Sequence, residues 1–243
     1  MPGKSRMETT EIRLQSVDST MDSAKSMAAS QDFLLVLAES QTKGKGTRGR
    51  AWHSLPGNIY MTLGINRRHL PQARLALLPL EIGLHLWDEA ASRIPPGSRG
   101  ALTLKWPNDL LFRGSKAGGI LMETHGEFIM VGIGVNVAAA PDIADGGTPS
   151  ACLADAGMIR NEKNAMVEGI YRRVRNAPGN ADSYDSEAIL LQWQGKVDWN
   201  GSHRLRDRPE TPWVRPVSVN RQGHLQVEHA DGAREWLVAD YLI

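Results

Sequence analysis

Alternation of apolar and polar positions predicts a strand at the start of the chain. In residues 11–17 (EIRLQSV), Ile12 and Leu14 alternate with polar neighbours, the period-2 pattern of a half-buried strand. Ser19-Thr20 then precedes MDSAKSMAAS, and Ser or Thr ahead of an Ala/Met/Lys run marks a helix N-terminus. Residues 33–40 (FLLVLAES) form an apolar run of strand length. Glycines and basic residues break the pattern at 41–51, and 58–65 (NIYMTLGI) restores it. Residues 73–93 carry apolar positions at helical spacing, and Pro79 among them predicts a kink or a start near that point. Short strands follow at 101–106, 109–112, 118–124 and 127–135, with Gly114 and Gly126 at turns. Helices are predicted at 161–175 and 184–194, with NAPGNADS as the loop between them.

Strands next to strands, with few crossover helices, predict an α+β fold: a mixed β-sheet with flanking helices. After residue 195 the pattern shortens. Pro209, Pro212 and Pro216 punctuate VRPVSVN, HLQVEHA and REWLVADYLI, with turns at Asn220–Gly223 and Asp231-Gly232. This predicts a compact all-β appendix of 195–243, a small barrel. The expected organisation is a disordered tail over 1–10, a main domain over 11–194 and the appendix.

Composition narrows the function classes. Twenty-eight basic and 27 acidic residues leave a net charge of +1, whereas a dedicated nucleic-acid binder carries a basic excess. The single Cys152 excludes an intramolecular disulfide and a cysteine metal site, which fits a reducing compartment. No apolar run approaches the roughly 20 residues of a membrane span. The opening MPGKSRMETT has no apolar core for a secretory signal. A soluble cytoplasmic protein is the expectation. The seven His are scattered without metal-ligand spacing, and no Gly-x-Ser-x-Gly elbow is present.

Four constellations carry chemistry. Gln41–Arg50 (QTKGKGTRGR) holds three glycines and four cations with no acid. Glycines let backbone amides approach a ligand, and Arg grips phosphate bidentately. An exposed basic loop would read the same way, and the spacing is not that of a Walker loop. Lys105–Asp109 (KWPND) places Asn108 and Asp109 at a strand edge, where they could hold a metal–phosphate or a ligand amide; Pro-Asn-Asp is equally good turn chemistry. Ser115–Glu123 (SKAGGILME) sets Lys116 where backbone can touch a ligand, or makes it a solvated hairpin lysine. Gly132–Val137 (GIGVNV) ends on Asn136, whose amide could read an adenine edge, while glycine pairs also serve close strand packing.

In this order and spacing, Ser19-Thr20, Gln41 with Gly44–Arg50, Lys105–Asp109, Lys116–Glu123 and Gly132–Asn136 resemble the biotin protein ligase family over about residues 11–243. The resemblance implies a biotin synthetase-like core, of the class II aminoacyl-tRNA synthetase type, with an SH3-like C-terminal barrel. It implies an ATP-dependent ligase that forms biotinyl-5′-AMP and transfers biotin to a lysine of a biotin carboxyl carrier domain. By resemblance, biotin meets Ser19, Thr20 and Gln41 at its ureido head, with Gly44, Lys45, Gly46 and Thr47 from the loop. Trp52 and Gly119 wall its apolar parts, and Lys116 stands between its carboxylate and the α-phosphate. ATP falls to Arg48, Arg50, Lys105, Trp106, Asn108, Asp109 and Asn136; Lys116, Arg48, Arg50 and Asp109 are the catalytic set, with Asp109 toward Mg²⁺.

Three positions depart from the family pattern: Lys45 and Thr47 replace loop arginines, and Met21 replaces an Asn. Lipoate or octanoate ligases are the nearest rivals, although they lack the Lys-Trp-Pro-Asn-Asp block. A ligase-like binding protein of reduced activity would explain Thr47 and Met21, but Lys116, Asp109 and Asn136 are retained. A DNA-binding repressor would carry a reader domain before the core, and the first strand near residue 11 leaves no room for one. No DNA or membrane partner is expected, while strand edges leave room for a homodimer.

Overall fold

The computed structural model describes residues 8–142, 149–177, 184–199, 203–205, 208, 210 and 212–238. The main sheet is built from β1 (Thr9–Val17), β2 (Phe33–Gln41), β3 (Ile59–Asn66), β4 (Leu102–Lys105), β5 (Asp109–Phe112), β6 (Ser115–His125) and β7 (Phe128–Val135). Their order is β1-β2-β3-β7-β6-β5-β4, with β1 parallel to β2 and every other pair antiparallel. The mixed sheet with flanking helices therefore stands. The tail expected at 1–10 lies mostly outside the described residues, and β1 already begins at Thr9.

Period-2 alternation assigns the two faces. Phe33, Leu35 and Leu37 of β2, Ile59, Met61, Leu63 and Ile65 of β3, and Ile129, Val131, Ile133 and Val135 of β7 join one large core. That core is covered by α2 (Gln72–Arg93), α3 (Lys163–Asn176) and α4 (Ser186–Gln194). The intervening residues Leu34, Val36, Phe128 and Met130 form a smaller cluster under α1 (Thr20–Met27), together with Met21 and Ala24. Glu123 of β6 pairs with Lys25, fixing α1 to the sheet.

Two expectations change. Helix α2 does not start near Pro79 but runs from Gln72 through it to Arg93. A proline in a helix interior costs about 3 kcal/mol; here Leu77, Leu78, Pro79 and Leu80 are all buried, and packing offsets the lost hydrogen bond. The expected C-terminal barrel is not found among the described residues. Among the described residues, β8 (Arg215–Val219), β9 (Leu225–Glu228) and β10 (Arg234–Leu237) form an open antiparallel sheet in the order β10-β9-β8. Val219, Leu225 and Val227 bury themselves in the large core, so docking does what closure would have done. Alternation carries no information on closure, and β8 itself departs from it at a bulge between Pro216 and Ser218.

The loop NAPGNADS falls largely outside the described residues, at 178–183. Among the described residues no helix is long and apolar enough to cross a membrane.

Candidate functional site

The site lies on the α1 side of the sheet, where large side chains give way to small ones. Tyr60, Gly134 and Gly119 are paired across one rung, which also reaches Ala38 and Asp109. Gln41 and Lys116 each lie three residues from this rung, toward the same end of the sheet. Their strands are three interstrand steps apart, roughly 14 Å. Between them opens a cavity of about 470 Å³, including its mouth.

At the β2 side the cavity is polar. Ser19 occupies the N-cap position of α1, yet its hydroxyl caps nothing. Buried at 1% exposure, it has no hydrogen-bond partner among the described residues. An unpaired buried hydroxyl costs about 1–3 kcal/mol, so such a group marks a place for a ligand's polar atom. Beside it the Thr62 hydroxyl donates to Thr20 Oγ1 (2.9 Å), which donates to Gln41 Oε1 (3.1 Å); the Thr20 amide donates to the same oxygen (2.8 Å). The chain of bonds fixes the Gln41 amide oxygen inward, and its Nε2 has only a long contact to Ser54 (3.4 Å).

At the β6 side stands Lys116, 8% exposed, with Nζ 3.0 Å from Asp109 Oδ1. The pair is close enough for an ion pair but is not aligned as a hydrogen bond, leaving Oδ1 buried without a hydrogen-bond donor. Lys116 Nζ also lies 5.5 Å from the Trp52 ring centre. That ring rests on Gly134 and Gly119: a side chain at Gly134 would overlap it. Trp52 Nε1 is buried and unpaired among the described residues.

The basic segment arches over the cavity. The Trp52 amide donates to the Gly44 carbonyl (2.8 Å) and the Gly46 amide to the Arg50 carbonyl (2.8 Å), making a tight hairpin. A Cβ on Gly44 would come within 2.5 Å of the Trp52 carbonyl oxygen, so the close approach requires glycine there. A 3-10 turn at Thr47–Gly49 puts Arg48 in the left-handed region at φ 59°. Two ion pairs tie the arch to the start of α1: Lys43 to Asp18 (2.9 Å) and Lys45 to Asp22 (2.6 Å). The Thr42 hydroxyl (2.5 Å), then the Lys43 ammonium, holds the Asp18 carboxyl below its usual range.

Of the residues expected from the sequence, Ser19, Thr20, Gln41, Lys45, Gly46, Thr47, Trp52, Asn108, Lys116 and Gly119 line this one cavity. Asp109 adjoins it through Lys116. Gly44, Arg48 and Arg50 build the arch without lining the wall; Trp106 meets the β8–β9 turn at Gly223, and Lys105 lies near His203. Asn136, 3% exposed, directs its amide to the Ala151 (3.1 Å) and Lys116 (3.4 Å) carbonyls and is not among the residues lining the cavity. The sequence reading of the Lys105–Asp109 block as turn chemistry also holds: Trp106–Asn108 is the β4–β5 hairpin turn, with a cis Trp106-Pro107 bond.

Thr62 and Asn58 were missed. Thr62 is the one threonine among the aliphatic and aromatic residues of β3 before Asn66, which is the signal that could have found it. Asn58 looks like a turn residue, yet its Oδ1 accepts from the amides of Val137, Ala138 and Ala139 (2.9–3.2 Å). It thereby fixes the segment after β7. Among the described residues no three His, Cys, Asp or Glu side chains cluster to hold a metal. One carboxylate, Asp109, suits a cation that arrives with phosphate ligands of its own.

Comparison with known proteins adds independent information. The model of the biotin/lipoate A/B protein ligase family matches residues 13–137. A biotin–[acetyl-CoA-carboxylase] ligase of Mycobacterium tuberculosis is 33% identical over 166 residues, 67% of this chain and 56% of the relative. One from Paracoccus denitrificans is 40% identical over 122 residues, 47% of this chain and 50% of the relative. The chain thus spans about half the length of these curated relatives. The structure of a Leishmania major biotin protein ligase in complex with biotinyl-5-AMP superposes with a TM-score of 0.72 at 30% identity, covering 95% of this chain and 99% of that one.

Proposed function

The chain belongs to the biotin/lipoate A/B protein ligase family, and from that premise we propose that it is a biotin–protein ligase, forming biotinyl-5′-AMP from biotin and ATP and passing biotin to a lysine of a biotin carboxyl carrier domain. One observation carries the choice within the family. A single cavity holds an unpaired buried hydroxyl, Ser19, beside an inward-held amide, Gln41, and has an ammonium, Lys116, three strands away. A cyclic urea offers hydrogen-bonding groups to the first pair, and its side-chain carboxylate suits the lysine. The dithiolane of lipoate would leave Ser19 unsatisfied.

The mechanism follows from charge. A carboxylate attacking an α-phosphate meets like charge, and Lys116 sits where it can neutralise both partners and the oxyanion that forms. The carboxylate oxygen bonds to phosphorus and pyrophosphate departs. Asp109, with Oδ1 free of hydrogen bonds, is the carboxylate that would hold magnesium arriving on ATP, where the ion would offset phosphate charge. The Lys43–Asp18 and Lys45–Asp22 pairs close the arch, excluding water that would hydrolyse the mixed anhydride. The acceptor lysine then attacks the acyl carbon and AMP leaves. Arg48 and Arg50 in the arch serve the phosphate side. ATP and a carrier domain as co-substrates fit a cytoplasmic setting, and the edge strand β1 leaves a site at which a homodimer could pair.

Acyl-dependent ATP–pyrophosphate exchange tests the proposal. Biotin should support exchange; octanoate or lipoate supporting it while biotin does not would overturn the assignment.

A further inference from the structure

We propose that the β8–β9 turn, Asn220–Gly223, is a positioning element for the nucleotide side of the cavity, acting through the Trp106 indole. The inference rests on the function proposed above and concerns a part of the chain that touches neither substrate in that reading.

The turn is pre-formed. Asn220 Oδ1 accepts from the amides of Gln222 and His224 (3.0 Å each), and the Gly223 amide donates to the Asn220 carbonyl (2.9 Å). Gly223 has φ 77°, and a Cβ there would lie 2.8 Å from the Ala76 carbonyl oxygen of α2. The tip is thus pressed against α2, and Arg221 pairs with Glu187 of α4 beside it. Held in this way, the Gly223 carbonyl accepts a hydrogen bond from Trp106 Nε1 (2.9 Å), 117 residues away in the chain.

Trp106 heads the hairpin turn whose next residues reach the cavity. Asn108 is bonded to β6 in both directions: its Nδ2 donates to the Ile120 carbonyl (2.6 Å), and the Ile120 amide donates to the Asn108 carbonyl (3.0 Å). Asp109 follows, 3.0 Å from Lys116 Nζ. A second contact clamps the other arm of the hairpin, where the Leu104 amide donates to the Lys196 carbonyl (2.8 Å). The route Gly223–Trp106–Asn108/Asp109–Lys116 is therefore a continuous set of contacts, and the C-terminal sheet sets where the Asp109 carboxylate stands.

Biotin's ureido head is held at the opposite end of the cavity, by Ser19, Thr20 and Gln41; only its carboxylate meets the route, at Lys116, which β6 holds by its own backbone. The effect should then split between substrates. Trp106→Phe keeps the ring and removes the N–H; Gly223→Ala strains the turn without touching the cavity. Both variants of the full chain should raise KM for ATP in pyrophosphate exchange about three- to tenfold, the scale of one lost hydrogen bond. KM for biotin should stay within twofold, and the double variant should be no worse than the poorer single one. If either folded variant raises both KM values alike, or changes neither, the positioning role is wrong. Should Gly223→Ala fail to fold, Trp106→Phe carries the test. Calorimetry with a non-hydrolysable ATP analogue reads the same shift without turnover. A wild-type protein that binds the analogue but gives no biotin-dependent exchange would sink the proposed function and leave this inference still measurable.

Discussion

The two faces of the main sheet are made from the same strands and differ in what every second residue is. On the helix-covered face β3 presents Ile59, Met61, Leu63 and Ile65, all buried in the large core. On the other it presents Tyr60, Thr62 and Gly64, and β7 adds Gly132 and Gly134. The first face is filled to its surface by apolar side chains; the second is hollowed where a ligand would lie. Stability and chemistry are thus separated by a one-residue shift along each strand. Substitutions on the two faces should separate in the same way, one lowering stability and the other activity.

The largest effect is expected at Lys116. Lys116→Ala should cut adenylation about 10²–10³-fold, the typical loss for one charge-stabilising donor, with little change in Tm. Near-normal turnover in a folded variant would return Lys116 to a plain strand-end lysine. On the other face, Leu63→Ala removes a 1% exposed core side chain. It should cost about 2–5 kcal/mol of stability while leaving KM for biotin unchanged in the molecules that remain folded. A large KM effect from Leu63→Ala would show that the faces are coupled and end the comparison.

Gly134→Ala probes the hollow itself. The new methyl would overlap the Trp52 ring, and overpacking typically costs about 1–3 kcal/mol. That strain falls on the cavity wall, so KM for biotin should rise about tenfold or more, with a smaller loss of stability than in Leu63→Ala. A drop in Tm as large as that of Leu63→Ala, without a KM change, would make Gly134 a packing glycine.

Much of this partition was legible in the sequence. NIYMTLGI alternates cleanly, and the blocks around Lys116 and Gly132–Asn136 mark the strands that carry the small residues. What was not legible depends on distant partners. Asn136 reads as a free amide until Ala151 and Asn58 are seen to occupy it, the latter 78 residues away. Pro79 reads as a kink or a helix start because the helix is considered alone, before the core that holds it is known. The C-terminal strands read as a barrel because alternation reports which residues are buried, not what they are buried against.

A smaller effect is expected where the C-terminal segment meets the hairpin. His203 has its pKa lowered first by burial and then by the nearby Lys105 charge. Its folded pKa lies below the unfolded value of 6.5. Above that value both states are neutral and stability is full; as pH falls below it, only the unfolded state gains the proton, and stability declines until the folded pKa is passed. Tm should therefore drop between pH 7.5 and pH 5, and His203→Gln should flatten that part of the profile. An unchanged slope in the variant would assign the acid sensitivity elsewhere.

The smallest expected effect is at Thr47, over the hollow face. By resemblance this loop position carries an arginine that retains the adenylate, and threonine brings no charge. The structure gives threonine a different task. Its Oγ1 accepts from Arg50 Nη2 (2.9 Å) and its carbonyl from Arg50 Nε (3.3 Å), so the residue orients Arg50, at the end of the arch. Thr47→Val keeps the shape and deletes the acceptor. A hydrogen bond to a charged group is worth about 1.5–3 kcal/mol when well buried, and this one is partly exposed, which screens it. Release of biotinyl-5′-AMP should accelerate only about two- to fivefold, with biotin affinity unchanged, because the Ser19 end of the cavity is untouched. Single-turnover release measured on Thr47→Val decides the matter. A rate equal to wild type would mean that the arch is held without this bond, and that the hydroxyl facing Arg50 contributes nothing to retention.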